Sequence, residues 1–78
     1  MARVVWSDEA ERFLLGAPVD EAEEILAAVE RMAGTGHGFV RQMVDAEGTL
    51  GLYVRGCVVL FLVHDDGGIE IRRVRRRP

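Results

Sequence analysis

Hydrophobic residues change their spacing along the chain, and these changes divide it into predicted elements. In residues 20–34 the apolar side chains recur at intervals of three and four, which is the period of a helix with one buried face. The members of this stripe are Ala22, Ile25, Leu26, Val29, Met32 and Ala33. From residue 39 onwards the apolar residues form short runs rich in valine, leucine and isoleucine, which are typical of strands. The pattern predicts helices first and a sheet afterwards.

Polar residues and glycines indicate where the first elements begin and end. Residues 3–6 form a short β-rich run, and Ser7 follows as the predicted N-cap of a first helix. Gly16 and Pro18 are expected to end that helix. The first eighteen residues therefore predict a strand, a cap and a short helix.

The second helix is predicted to have a capping box and a C-terminal glycine. Asp20 is the expected N-cap, with Glu23 three residues later in the reciprocal position. Gly34 follows the apolar stripe as the expected residue after the last helical turn. The two helices, separated by a Gly-Ala-Pro turn, are predicted to form an αα-hairpin.

Four strands are predicted in the second half of the chain. Their ranges are Phe39 to Val44, Thr49 to Val54, Cys57 to His64 and Ile69 to Val74. The short glycine-containing turns at 55–56 and 65–68 predict hairpins, so that successive strands run antiparallel. Residues 57–63 are apolar at every position and predict a central strand. The expected order is β-α-α-β-β-β-β, an α+β fold with two helices on one face of a mostly antiparallel sheet.

Composition narrows the class of protein. The 78 residues, 49% hydrophobic and 29% charged, predict a single folded domain spanning 1–78. A lone Cys57 excludes an internal disulfide, and no Cys/His spacing predicts a metal site. No apolar run approaches the roughly 20 residues of a membrane helix, and the first residues do not resemble a secretory signal, so a cytoplasmic location is expected. There is no lysine, which excludes chemistry that needs a lysine amine.

Positive charge is concentrated in the last ten residues. Residues 1–68 carry five arginines and twelve acids, a net charge of −7, whereas residues 69–78 carry a net charge of +4. The five arginines of this tail are Arg72, Arg73, Arg75, Arg76 and Arg77. Strand alternation places Arg73 on the same face as Ile69 and Ile71, near the buried edge. Contact with nucleic-acid phosphates, contact with an acidic protein and plain solvation all remain open for the cluster.

Several segments carry a resemblance that extends over nearly the whole chain. They are Trp6 to Glu11, the apolar stripe of the second helix, Leu52, Val54, Val59 to Phe61, Ile71, Arg73, Val74 and Arg77. In their order and spacing the sequence resembles the RelE/ParE superfamily of bacterial toxin-antitoxin toxins. The resemblance implies an α+β domain of the same type.

The resemblance also implies a function. Members of the RelE type cut messenger RNA, usually in the ribosomal decoding site, without a metal or another cofactor; members of the ParE type poison DNA gyrase. A ribonuclease would have Arg73 and Arg77, which match the family, as catalytic residues together with Tyr53, the one tyrosine of the chain. The arginines of the tail, Arg72, Arg73, Arg75, Arg76 and Arg77, are expected to bind nucleic acid or a partner. The expected partners are an acidic antitoxin-like protein or a second copy of the chain, with RNA and the ribosome or gyrase as the target.

Some positions depart from the pattern of the ribonucleases. Val58 stands where many members have arginine, Cys57 occupies an aromatic position, and lysine is absent. Arg76 and Arg77 replace a common His-Arg pair. An alternative hypothesis is therefore a non-catalytic protein-binding module that keeps the RelE fold and has lost the ribonuclease chemistry.

Overall fold

The computed structural model describes residues 3–36, 38–42 and 48–77. Its elements are β1 Val4–Trp6, α1 Asp8–Gly16, α2 Val19–Thr35, β2 Phe39–Gln42, β3 Leu50–Val54, β4 Cys57–Val63 and β5 Ile69–Arg76. The β-α-α-β-β-β-β order and the α+β class expected from the sequence are confirmed. The last two residues of the predicted Phe39 to Val44 strand, and His37 in the preceding glycine loop, lie outside the described residues.

The strands form one sheet in the order β1-β5-β4-β3-β2. The hairpin pairs β2–β3, β3–β4 and β4–β5 are antiparallel as predicted, and β1 pairs with β5 in parallel. β4 is the central strand, as its uninterrupted apolar run indicated. Because the first strand lies beside the last, the start of α1 is brought against the second half of β5.

The first helix is capped as its sequence predicts. Ser7 has an extended backbone, and its hydroxyl accepts a hydrogen bond from the Ala10 amide at 3.1 Å. The same hydroxyl donates to the Arg72 carbonyl oxygen at 2.7 Å, and the Ser7 amide donates to the Ile71 carbonyl oxygen at 2.9 Å. One residue therefore begins the helix and also attaches it to β5.

The second helix begins and ends two residues away from the predicted caps. Its N-cap is Pro18, with φ −55° and no side-chain cap, so the predicted capping box at Asp20 is wrong. Proline is tolerated at this position because its missing N–H would have no intrahelical partner. At the other end the helix continues through Gly34 to Thr35, and Gly36 ends it in the left-handed conformation at φ 77°.

A β-bulge interrupts the pairing of the two central strands. Leu60 lies opposite Arg73 and Phe61 lies opposite Ile71, so Arg72 is an extra residue on β5. An extra residue shifts the alternation of side chains by one position for the rest of the strand. β5 then continues two residues beyond its predicted end.

The bulge decides which side chain of β5 enters the core. Val74 lies opposite Val59 and is 5% exposed, whereas Arg73 is exposed. The expectation that Arg73 shares the buried face of Ile71 is therefore wrong, because it assumed an uninterrupted alternation. The buried cluster consists of Ala10, Ile25, Val29, Met32, Leu52, Val54, Cys57, Val59, Phe61, Ile69, Ile71 and Val74.

Candidate nucleic-acid interface

The end of β5 lies beside the turn between β3 and β4. Cys57 pairs with Arg76, which places the next residue, Arg77, next to Gly56. The Arg77 amide donates to the Gly56 carbonyl oxygen at 2.8 Å, and its Nη1 donates to the Arg55 carbonyl oxygen at 3.2 Å. Arg55 itself has a positive φ of 45°, so the side chain of this turn leaves the backbone in an unusual direction. Two arginines that are distant in sequence are thereby neighbours.

Arg55 and Arg77 line an open cavity of about 530 Å³. Its walls are formed by Arg41 of β2, Tyr53 of β3, Arg55 of the turn and Arg77 after β5. The Arg77 Cζ lies 5.0 Å from the centroid of the Tyr53 ring, within the range of a cation–π interaction. Three guanidinium groups from separate elements therefore surround one space.

The described residues of the cavity lining include no carboxylate, although one stands nearby. The Arg55 Nη1 lies 2.8 Å from Glu24 Oε1 on α2, in a pair whose side chains are 81% and 43% exposed. A pair this exposed contributes little to stability because water screens it. The arrangement is suited to an anion, since each guanidinium can present two N–H groups to a carboxylate or phosphate.

Other tail arginines bind carboxylates of the helices. Arg73 forms an ion pair with Glu9 in the first turn of α1. The Arg76 Nη1 lies 2.9 Å from the Glu21 carboxylate, and its Cζ lies 5.4 Å from the ring centroid of Phe13. The hydrogen bond and charge of Glu21 raise the pKa of Arg76 above its ordinary value. These two arginines attach β5 to the helices rather than lining the cavity.

The remaining tail arginines differ in their surroundings. Arg72 Nε lies 3.4 Å from Glu70 Oε2, and His64 Nε2 lies 2.9 Å from Glu70 Oε1. Arg75 is exposed opposite Val58 and makes no ion pair with any of the described residues. The tail arginines therefore have three kinds of surroundings: three form ion pairs, Arg75 is exposed to solvent and Arg77 lines the cavity.

Charges of opposite sign occupy different layers of the fold. α1 and α2 carry eight acids and two arginines, a net charge of −6. Residues 38–42 and 48–77 carry seven arginines and three acids, a net charge of +4. A phosphate can therefore approach the strand end of a protein whose total charge is −3.

Cys57 lies behind the Arg76–Glu21 pair as a buried thiol. It is 1% exposed, and its Sγ lies 3.9 Å from Glu21 Oε1. Burial, and then the negative charge of Glu21, raise the pKa of this thiol above its ordinary value, and Arg76 opposes them. A neutral buried thiol is a packing group rather than a nucleophile.

The structure brings some of the predicted site residues together and separates others. Tyr53 and Arg77 line one cavity, whereas Arg73 lies further back on β5 with Glu9. Arg41 and Arg55 line the cavity but did not stand out in the sequence. The signal that could have found them is strand pairing: Arg41 lies opposite Gly51 on β3, and two adjoining hairpins bring residue 55 beside residue 77.

The described residues lack two features that would indicate other functions. Among them, no group of three or more His, Cys, Asp and Glu side chains is arranged to hold a metal ion. None of the described helices has the length and apolar character needed to span a membrane.

The fold and its cavity define a class: a five-stranded, mostly antiparallel sheet with two helices and an arginine-lined strand end. Solved structures with a similar fold include proteins from bacterial toxin-antitoxin systems. The isolated Escherichia coli RelE toxin matches with a TM-score of 0.80 at 8% identity, over 100% of this chain and 86% of that chain. The RelBE2 toxin-antitoxin complex from Mycobacterium tuberculosis matches with a TM-score of 0.65 at 24% identity, over 97% and 98%. The chromosomal ParDE system from Pseudomonas aeruginosa matches with a TM-score of 0.74 at 20% identity, over 100% and 98%.

The structural similarity contrasts with the lack of similarity in sequence. No protein-family profile matches the chain, and no curated protein matches its sequence. The chain has the RelE/ParE-type fold, and the resemblance found in the sequence is confirmed at that level.

Proposed function

We propose that this chain is the toxin component of a type II toxin-antitoxin pair, and that its basic cavity receives the phosphodiester backbone of messenger RNA. The observation that carries the proposal is the convergence of Arg41, Arg55 and Arg77 on one cavity in a chain with the RelE/ParE-type fold. Guanidinium groups are the side chains best suited to bidentate contact with phosphate.

The cavity supplies charge stabilisation for RNA cleavage. In this reaction the ribose 2′-hydroxyl loses its proton to water, and its oxygen attacks the neighbouring phosphorus to form a 2′,3′-cyclic phosphate. The bond from phosphorus to the 5′-oxygen of the next nucleotide breaks. The phosphate gathers negative charge in between, and fixed cationic donors lower the energy of that state. Arginine stays protonated and does not shuttle protons, so among the described lining residues Tyr53 is the one that can donate a proton to the leaving 5′-oxygen.

An antitoxin partner is part of the same proposal. The RelBE2 and ParDE structures that this fold matches are toxin-antitoxin systems. The strand end carries the positive charge of this chain, and an acidic segment of an antitoxin complements it. Binding there would cover the cavity and neutralise the toxin.

A non-catalytic binding module is the second candidate, and one observation favours it. The described residues of the cavity lining include neither imidazole nor ammonium, the usual groups for proton transfer and for a compact positive charge. Val58 pairs with Tyr53 on the neighbouring strand and adds an apolar side chain instead of a further cation. A module of this kind would bind its target without cutting it.

Induced expression in a bacterial host tests the proposal. Growth arrest is expected from the unchanged chain, and Arg77→Ala and Arg55→Ala should each relieve it. Arg31→Ala is the matched control, because it removes an exposed arginine from α2, which lines no part of the cavity. All variants should be present at equal levels on immunoblots.

The mode of action is read from the nucleic acids of the arrested cells. Primer extension on abundant transcripts should reveal new 5′ ends within coding regions if messenger RNA is cut. Induction of a DNA-damage reporter without such ends would replace RNA by gyrase as the target. Harmless expression of a stable chain would contradict the toxin proposal and favour the binding module.

A further inference from the structure

The contact between Arg77 and Tyr53 gives the cavity a feature beyond positive charge. Tyr53 belongs to β3, and Arg77 follows β5, so the contact crosses the position of β4. Phosphate binding uses the charge and the N–H groups of an arginine and does not require an aromatic ring beside it. An aromatic ring behind the guanidinium adds a constraint on the orientation of that group.

Two contacts hold the Arg77 side chain. Its Nη1 donates to the Arg55 carbonyl oxygen at 3.2 Å, and its Cζ lies 5.0 Å from the Tyr53 ring centroid. The ring is itself placed by cross-strand pairing with Val58, which is 5% exposed. The Arg77 guanidinium thus lies over the Tyr53 ring, while Arg77 as a residue is exposed.

We propose that the cavity binds one unpaired nucleotide of single-stranded RNA, with its base stacked on the Arg77 guanidinium that Tyr53 supports, and its phosphate held by Arg41 and Arg55. This inference rests on the proposed function, since it specifies the RNA that the cavity accepts. Bases of single-stranded RNA stack on aromatic rings and on guanidinium planes. The ring, the guanidinium and the base would form three successive layers.

The size of the cavity agrees with a ligand of this kind. Its volume of about 530 Å³ lies within the roughly 300–1,000 Å³ typical of sites for small ligands. A base within a duplex has both faces covered by its neighbours, so stacking on a side chain requires an unpaired base. The cavity is therefore expected to discriminate by strandedness and by the presence of a base.

Binding to short labelled RNA, measured by fluorescence anisotropy, tests the inference. The probes are a single-stranded oligouridine, the same oligonucleotide with abasic central nucleotides, and a blunt RNA duplex of equal length. The unchanged chain should prefer the oligouridine to the abasic strand by on the order of tenfold, which is the size of one stacking contact. The affinity for the duplex should be no higher than the affinity for the abasic strand.

Variants separate stacking from charge. Tyr53→Phe keeps the ring and should retain the preference, whereas Tyr53→Leu should lose it. Arg77→Lys keeps the charge without the plane, and should lose the preference while the dependence of affinity on salt concentration stays the same. Arg77→Lys alters an exposed residue beyond the last strand, so it remains informative if Tyr53→Leu disturbs folding, which circular dichroism would report.

The outcome of the RNA-binding experiment can be distinguished from the outcome for the toxin proposal. A preference for the base-bearing strand in a chain that is harmless on expression would support this inference and contradict the toxin function. Growth arrest with equal affinity for all three probes, or with no measurable RNA binding, would overturn the inference alone. Retention of the base preference in Arg77→Lys would overturn it as well.

Discussion

Val59 and Val74 lie opposite each other at the centre of the sheet, 0% and 5% exposed, because one extra residue precedes Val74 in β5. Replacing Val74 by alanine should lower the free energy of unfolding by roughly 1–3 kcal/mol, since the lost methyl groups leave a space in the core. Arg73→Ala is the neighbouring control and should cost clearly less, because its ion pair with Glu9 is about half exposed. Urea denaturation followed by circular dichroism measures both, and the reverse ranking would argue against the bulge.

The bulge also illustrates which parts of the fold are readable from sequence. The period of α2 and the continuous apolar run of β4 predicted both elements, because burial imposes those patterns directly on the residue types. A bulge adds a residue without a hydrophobic pattern of its own, and Arg72 is one arginine among several. Alternation counted from Ile71 therefore assigned the wrong neighbour to the core.

In the candidate site, too, contacts between residues close in sequence were predictable, whereas contacts between residues distant in sequence were not. Ser7 was predicted as a cap because a cap acts within three residues. The neighbours of Arg77 depend on how two hairpins adjoin, and Arg55 enters the site through a hydrogen bond spanning 22 residues. Residue types near each other in sequence indicate local structure, but they do not predict which residues distant in sequence come into contact.

Two glycines at the end of α2 should respond in opposite directions to alanine. Gly34 is helical with open space around the position of a Cβ, so Gly34→Ala should stabilise the protein by up to about 1 kcal/mol. Gly36 has φ 77°, where a Cβ is strained, so Gly36→Ala should destabilise it by about 1 kcal/mol. Thermal melts of the two variants provide the comparison. If Gly34 were instead the residue that ends the helix, Gly34→Ala would destabilise the protein.

The thiol of Cys57 should be protected in the folded state. It is 1% exposed, and burial raises its pKa, so reaction with an aromatic disulfide reagent should be slow at pH 8 and complete within minutes in urea. Rapid reaction of the native protein would contradict the burial of this residue.

The same pKa shift predicts how stability depends on pH. A thiol whose pKa is higher in the folded protein contributes stability that is fully present below the pKa of the unfolded chain. This contribution is lost as the pH rises beyond roughly 8.5, because the unfolded chain then releases its proton first. Relative to Cys57→Ala, the unchanged protein should lose stability between about pH 8 and pH 10. Urea midpoints measured at several pH values test this, and parallel curves for the two proteins would count against it.

Glu24 is expected to weaken RNA binding by competing for Arg55, whose Nη1 lies 2.8 Å from its carboxylate beside the cavity. Glu24→Gln removes that charge while keeping the shape of the side chain, so single-stranded RNA should bind several-fold more tightly at low salt. The gain should shrink as salt screens the exposed charges. Glu30→Gln is the matched control, because it changes the net charge by the same amount at an exposed position of the same helix, outside the cavity lining. Anisotropy titrations at two salt concentrations separate the cases: an equal gain in both variants would reflect net charge alone, whereas a gain confined to Glu24→Gln would place the phosphate beside Arg55.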